Sequence, residues 1–178
     1  ILASPFTAST TTDTWTGCVS TDWATAGNWA DGSVPTATND VIIPNVANDP
    51  VIVSGTAAVA KSVLVHGGAA CTIQATGSLA INGSTGFALE NYGILDNSGT
   101  LRIGNVSSVA NRGIVHRNGG TLNNKPGGLI QIDRTSAAEA FYTSGVVNNE
   151  GSLEIGSVAE VTGNGVTVEG AGTFNNKT

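Results

Sequence analysis

The chain has no methionine, two cysteines and three tryptophans, and only 11% of its 178 residues are charged. Few Met, Lys, Glu and Leu argue against long helices, which are built from straight-chain residues that lose little freedom there. Seven Lys+Arg stand against 13 Asp+Glu, scattered singly, for a net charge of −6. No basic stripe exists to neutralise a phosphate backbone, which excludes nucleic acid as a partner. No apolar run approaches the roughly 20 residues that a membrane span needs. The motifs that would signal chemistry are also missing: no G-x-S-x-G elbow, H-E-x-x-H pair, P-loop, EF-hand loop or glycine-rich calcium nonapeptide occurs.

The titratable residues form no constellation either. There are two histidines, His66 and His116, and an internal repeat places Val168 where His116 would recur. Asp96, Asp133, Glu150 and Glu154 are scattered, and the repeat puts Asn148 opposite Asp96. A polysaccharide lyase would need acids and bases clustered on one face. The expectation is therefore a protein without enzymatic activity, metal or cofactor.

What is present is glycine (24 residues), with abundant Thr, Ser, Asn, Val and Ile. That mixture suits short strands and tight turns, an all-β chain. The sequence also repeats. Residues 93–126 align without a gap to residues 145–178, an offset of 52, with 14 identities in 34 positions. A shorter unit lies inside: "GSLAIN" (Gly77–Asn82), "GTLRIG" (Gly99–Gly104), "GLIQID" (Gly128–Asp133) and "GSLEIG" (Gly151–Gly156) are one glycine-led strand in four versions. Alternation within each strand predicts inner files Leu79, Leu101, Ile130, Leu153 and Ile81, Ile103, Ile132, Ile155, with Ala80, Arg102, Gln131 and Glu154 outside. The longest interval between these strands holds "RTSAAEAFYTSG", expected as a bulging loop or a brief helical turn. A β-sandwich would share the short strands but gives no reason for an ungapped repeat, whereas stacked coils require one. The predicted fold is a parallel β-solenoid. Asn123–Asn124, Asn148–Asn149 and Asn175–Asn176 recur at like points, where side-chain amides can bond from coil to coil.

Three regions follow: residues 1–13 as an N-terminal extension, 14–56 as a tryptophan-rich cap with the first strands, and 57–178 as the coils. Trp15, Trp23 and Trp29 are read as packing over the first coil, which would otherwise expose its core; the alternative is a glycan platform. At the other end, "GTFNNKT" copies "GTLNNKP" but lacks the "GGLIQID" strand that follows the latter, so the last coil is expected to be uncapped.

The opening "WTGCVSTDWATAGNWADGSVPTATNDVIIPNVANDPVI" with "AVAKSVLV" resembles the W-T-G…T-D-W…N-W…V-P…D-V-I-I-P opening of secreted, adhesin- or haemagglutinin-like β-helix surface proteins of the Bacteroidota type. The resemblance covers Thr14 to about Asn82. It implies export and a parallel β-helix, and it carries no activity or catalytic residue. Members of that family are usually longer, with further repeats and a sorting domain.

The expected setting is extracellular or cell-surface, the chain having lost a signal segment or being a trimmed piece. Cys18 and Cys71 suit that setting as a disulfide, with two buried free thiols as the alternative. Asn82, Asn105 and Asn176 sit in N-x-S/T sequons and are candidates for N-glycosylation. Two functions remain. One is a head-to-tail homopolymer, a filament whose interface pairs Ile1, Leu2 and Phe6 of the extension with Thr173, Phe174, Asn175 and Asn176 of the last coil. The other is a monomeric adhesin or glycan-binding module.

Overall fold

The computed structural model describes residues 12–83, 85–104, 106–136 and 138–177. Its strands run in chain order as successive triplets. After β1 (Thr12–Thr14) come β2 (Asp40–Ile43), β3 (Val51–Ile52) and β4 (Ala57–Ala60), then β5 (Ser62–Val65), β6 (Ala70–Ile73) and β7 (Ser78–Ile81). The third triplet is β8 (Leu89–Asn91), β9 (Ile94–Asn97) and β10 (Thr100–Ile103). The fourth is β11 (Ile114–His116), β12 (Thr121–Asn124) and β13 (Leu129–Ile132). The fifth is β14 (Phe141–Thr143), β15 (Val146–Asn149) and β16 (Ser152–Ile155), and β17 (Val166–Val168) with β18 (Thr173–Asn176) begin a sixth. First members pair with first members, and so on, giving sheets of seven, six and five strands, parallel throughout. Here they are called sheets A, C and B in chain order around the coil. This is the expected parallel β-solenoid.

The offset of 52 is two coils. His116 pairs with Thr143 and Thr143 with Val168, so the repeat spans one slightly longer coil and one slightly shorter one. Sheet B carries the expected registers: Leu79–Leu101–Ile130–Leu153 and Ile81–Ile103–Ile132–Ile155 lie in line, with Ala80, Arg102, Gln131 and Glu154 outside. Leu101 and Ile103 are fully buried. Each such aliphatic side chain contributes about 1.5–3 kcal/mol, obtainable only when a neighbouring coil covers it.

Glycine leads these strands for a steric reason. A Cβ at Gly99 would sit 2.3 Å from the backbone oxygens of both Gln74 and Gly77, because the corner presses the chain onto the coil beneath. The described residues of "RTSAAEAFYTSG" form no helix: Thr135 bridges Val109 in parallel, and the segment then enters β14.

The stack begins earlier than residue 57, since β1, β2 and β3 already pair in register with the coils. The tryptophans lie inside this first turn. Trp15 and Trp23 are wholly buried and Trp29 nearly so, joined edge to face with ring centroids 5.0 Å (Trp15–Trp29) and 4.7 Å (Trp23–Trp29) apart. Asn28 organises the loop around them: its Oδ1 accepts from the amides of Val19 and Ser20, and its Nδ2 donates to Ser20 Oγ and the Asp22 carbonyl. These buried rings offer no sugar-facing surface, which favours the packing reading of Trp15, Trp23 and Trp29 over the alternative of a glycan platform.

The disulfide is corrected as well. Cys18 is exposed in the loop after Trp15, whereas Cys71 is buried in β6, and both are free thiols. Burial, with the charge of Asp49 second, pushes the Cys71 thiol up to about 12, so it behaves as a small apolar side chain.

Candidate functional site

Two of the three sheets have polar inner files, although the inside of sheet B is aliphatic. In sheet C, Ile52 and Ile73 give way to Asn97, Asn124, Asn149 and Asn176. Their amides form a ladder running toward the last coil: Asn97 Nδ2 donates to Asn124 Oδ1 at 2.8 Å, Asn124 to Asn149 at 2.7 Å, and Asn149 to Asn176 at 2.6 Å. An outer ladder runs the opposite way. Asn175 donates to Asn148 at 3.0 Å, Asn148 to Asn123 at 2.9 Å, and Asn123 to Asp96 at 2.8 Å. The asparagine pairs thus lie within strands, and each amide bonds at least one residue a coil away, as the sequence suggested.

Sheet A has the shorter file Asn91–His116–Thr143. His116 is fully buried between Asn91 Nδ2, 3.1 Å from its Nδ1, and the Val146 carbonyl, 3.1 Å from its Nε2. With Nδ1 accepting and Nε2–H donating, the ring is neutral, and burial holds its pKa below the usual histidine value. His66 is exposed and lies elsewhere. Among the described residues no group of three His, Cys, Asp or Glu is placed to hold a metal. No described helix is long and apolar enough to cross a membrane.

The last coil is where the regular pattern stops. Sheets A and C gain β17 and β18, whereas sheet B ends at β16. A step one strand deep results, and the groove along it has a volume of about 560 Å³. Leu153, Val166, Val168 and Phe174 line it, with Asn149, Gly151 and Asn176 on the sheet C side. All four apolar residues continue inner files, yet Val166 and Val168 are 41% and 47% exposed, where their partners Phe141 and Thr143 are fully buried. Phe174 meets Phe141 edge to face at 5.8 Å, so one face of its ring is packed. The outward edge of β16 has no strand beside it among the described residues.

Of the residues expected at an assembly interface, Thr173, Phe174, Asn175 and Asn176 form β18 and come together here. Ile1, Leu2 and Phe6 lie outside the described residues, as does sequon residue Asn105. Asn82 is half-buried at the end of β7, and Asn176 is exposed within the inner ladder. Sequence reasoning missed Leu153, Val166, Val168 and Asn149 as lining residues. The signal was available: the offset of 52 carries Ile114 and His116, both inside, onto Val166 and Val168.

Residues 14–126 match a family model described as a domain of unknown function, DUF8693, which covers more than half of the chain. No curated protein and no solved structure matches the chain.

Proposed function

We propose that this chain, which belongs to the DUF8693 family of domains of unknown function, is a structural subunit of an extracellular or cell-surface filament. Copies join head to tail, the N-terminal extension of one copy entering the groove on the last described coil of another. The observation that carries this reading is the groove on the last described coil: among the described residues no strand lies beside the outward edge of β16, and Leu153, Val166, Val168 and Phe174 line the groove there. An open sheet edge next to exposed aliphatic side chains is a template for strand addition. The extension has the apolar residues for it in Ile1, Leu2 and Phe6, and it leaves from β1, at the far end of sheet A. A contact between unlike ends does not close on itself, so it propagates into a fibre. The low charge of the chain, 11%, suits an exterior structural role.

Sedimentation and negative-stain imaging of the full chain over a concentration series test the proposal. Regular fibres that vanish when residues 1–11 are deleted are the expected result. A strand supplied by the same chain would leave it monomeric at every concentration, and that outcome rejects the filament. The alternative reading, an adhesin or glycan-binding module, loses its tryptophan platform to burial. Among the described residues the exposed aromatic left to it is Tyr92, 40% exposed in a groove shared with His66 and Asn118.

A further inference from the structure

We infer that the groove on the flank of the rod, where sheet A turns into sheet C, is a binding site for a neutral saccharide. It lies across the second to fourth coils, so the site exists whether or not copies assemble through other surfaces.

The groove originates in the lengths of the corners. From sheet A to sheet C the chain takes four residues at 66–69, two at 92–93, four at 117–120, two at 144–145 and four at 169–172. The alternation has the same two-coil period as the sequence repeat. A short corner between two long ones leaves a recess. At the first recess the result is a groove of about 530 Å³, with Tyr92 from the short corner and His66, Gly67, Asn118 and Gly119 from the long ones. The second recess has the same corner lengths but other side chains: the offset of 52 puts Ser144 at Tyr92 and Gly170 at Asn118. The stacking thus shapes both recesses, and the sequence furnishes the first.

Three properties of the lining point to the ligand. Tyr92 offers an aromatic ring, 40% exposed, that is already held in place. Its hydroxyl donates to Glu90 Oε1 at 3.1 Å, Arg117 pairs with the same oxygen at 2.7 Å, and the guanidinium carbon lies 5.8 Å from the ring centre. A fixed ring loses little freedom when a ligand stacks on it. The hydrogen-bonding groups, by contrast, are unspent. The side chains of His66 and Asn118 bond no described residue, and neither do the amide N–H groups of Gly67, Gly68 and Gly119. His66 and Asn118 stand on opposite long corners, both exposed, and each ring or amide can donate and accept. Lastly, no carboxylate, ammonium or guanidinium lines the groove, and Glu90 already occupies the nearby Arg117. An apolar plate ringed by free donors and acceptors matches a pyranose, which has an apolar C–H face and a rim of hydroxyls. An anionic ligand would find no Lys or Arg left to pair with.

The test is saturation-transfer NMR with isothermal calorimetry, on the full chain and five neutral disaccharides: cellobiose, maltose, lactose, mannobiose and diacetylchitobiose. At least one should bind, with a Kd of about 1 mM. Tyr92→Ala should weaken it roughly tenfold, whereas Tyr92→Phe, which keeps the ring, should stay within about threefold. Asn118→Gly, which installs the residue of the second recess, should cost about fivefold. It changes an exposed corner, so it reads binding even if Tyr92→Ala disturbs the far-UV β signal. Sialyllactose should bind no better than lactose, and adenosine should not compete. Absence of binding by all five disaccharides, or binding that either folded variant leaves unchanged, overturns the site. Preference for sialyllactose, or displacement by adenosine, overturns the neutral saccharide as its ligand. The filament is read from assembly, and none of these outcomes decides it.

Discussion

Replacing Asn124 with leucine separates an interior held by its amide ladder from one held by apolar packing alone. Asn124 is fully buried, accepts from Asn97 at 2.8 Å, and donates to Asn149 Oδ1 at 2.7 Å and the Ser152 carbonyl at 3.0 Å. Leucine, of similar size, removes three hydrogen bonds at about 1 kcal/mol each and strands the Asn149 oxygen at a further ~2 kcal/mol. Apolar burial returns about 2 kcal/mol, leaving a net loss of about 3 kcal/mol. Asn97→Leu is the internal control. Asn97 sits on Ile73 at the start of the ladder, and its Oδ1 is already buried without a partner. Losing its two donated bonds and stranding Asn124 Oδ1 is offset by removing that orphan and by the same apolar gain. Its net cost is about 0–1 kcal/mol. Urea denaturation followed by far-UV circular dichroism compares the two midpoints, provided the slopes agree. Equal shifts for both variants, or a loss under about 1 kcal/mol for Asn124→Leu, would refute the ladder as a source of stability.

Two further measurements probe the first coil and the corners. Asp13 in β1 is buried beside Asp31, with Oδ2 unpartnered; burial first, and then the charge of Asp31, raise its pKa from 3.8 to about 6. A raised carboxyl pKa favours the protonated folded form. The stability it lends is full below about pH 4 and is lost as pH rises through about 6. Tryptophan fluorescence during urea titration should therefore give a falling midpoint between these pH values, and Asp13→Asn should flatten that fall. At the corners, Gly99→Ala drives a Cβ to 2.3 Å from two backbone oxygens and should cost about 3 kcal/mol in a thermal melt. Gly127→Ala, at φ +81° in open space, should cost only about 1–2 kcal/mol, and a reversed order would show that the corners tolerate a side chain.

The sequence exposed sheet B most clearly because its strands are glycine-led, aliphatic inside and strictly alternating, so residues 79–81 predict 101–103, 130–132 and 153–155. Sheets A and C were harder to read. Asn124 and His116 point inward, and their acceptability depends on partners 25 to 30 residues away that no local pattern reveals. The first coil was hidden for a different reason. Residues 15–39 form an insertion between β1 and β2, folded around Asn28 and the tryptophans, which masks the pairing of Thr12–Thr14 with Asp40–Ile42. The cysteines misled because a shared cellular setting says nothing of geometry: one sulfur is in an exposed loop and the other faces the core. Part of the groove on the last described coil was legible as an interrupted repeat. Its depth was not, because exposure at Val166 and Val168 depends on how neighbouring coils stack, which no local pattern reveals.

The stacking of parallel coils has a mechanical consequence. Backbone hydrogen bonds between successive strands point along the long axis, so axial tension loads them end-on and in series rather than in shear. A coil that lets go exchanges a rise of about 4.8 Å for roughly 25 residues of extended chain, a gain near 80 Å. The covalent thread runs unbroken through every corner, so such a release lengthens the molecule without severing it. A rod built this way yields turn by turn under a pull, dissipating force like a damped spring.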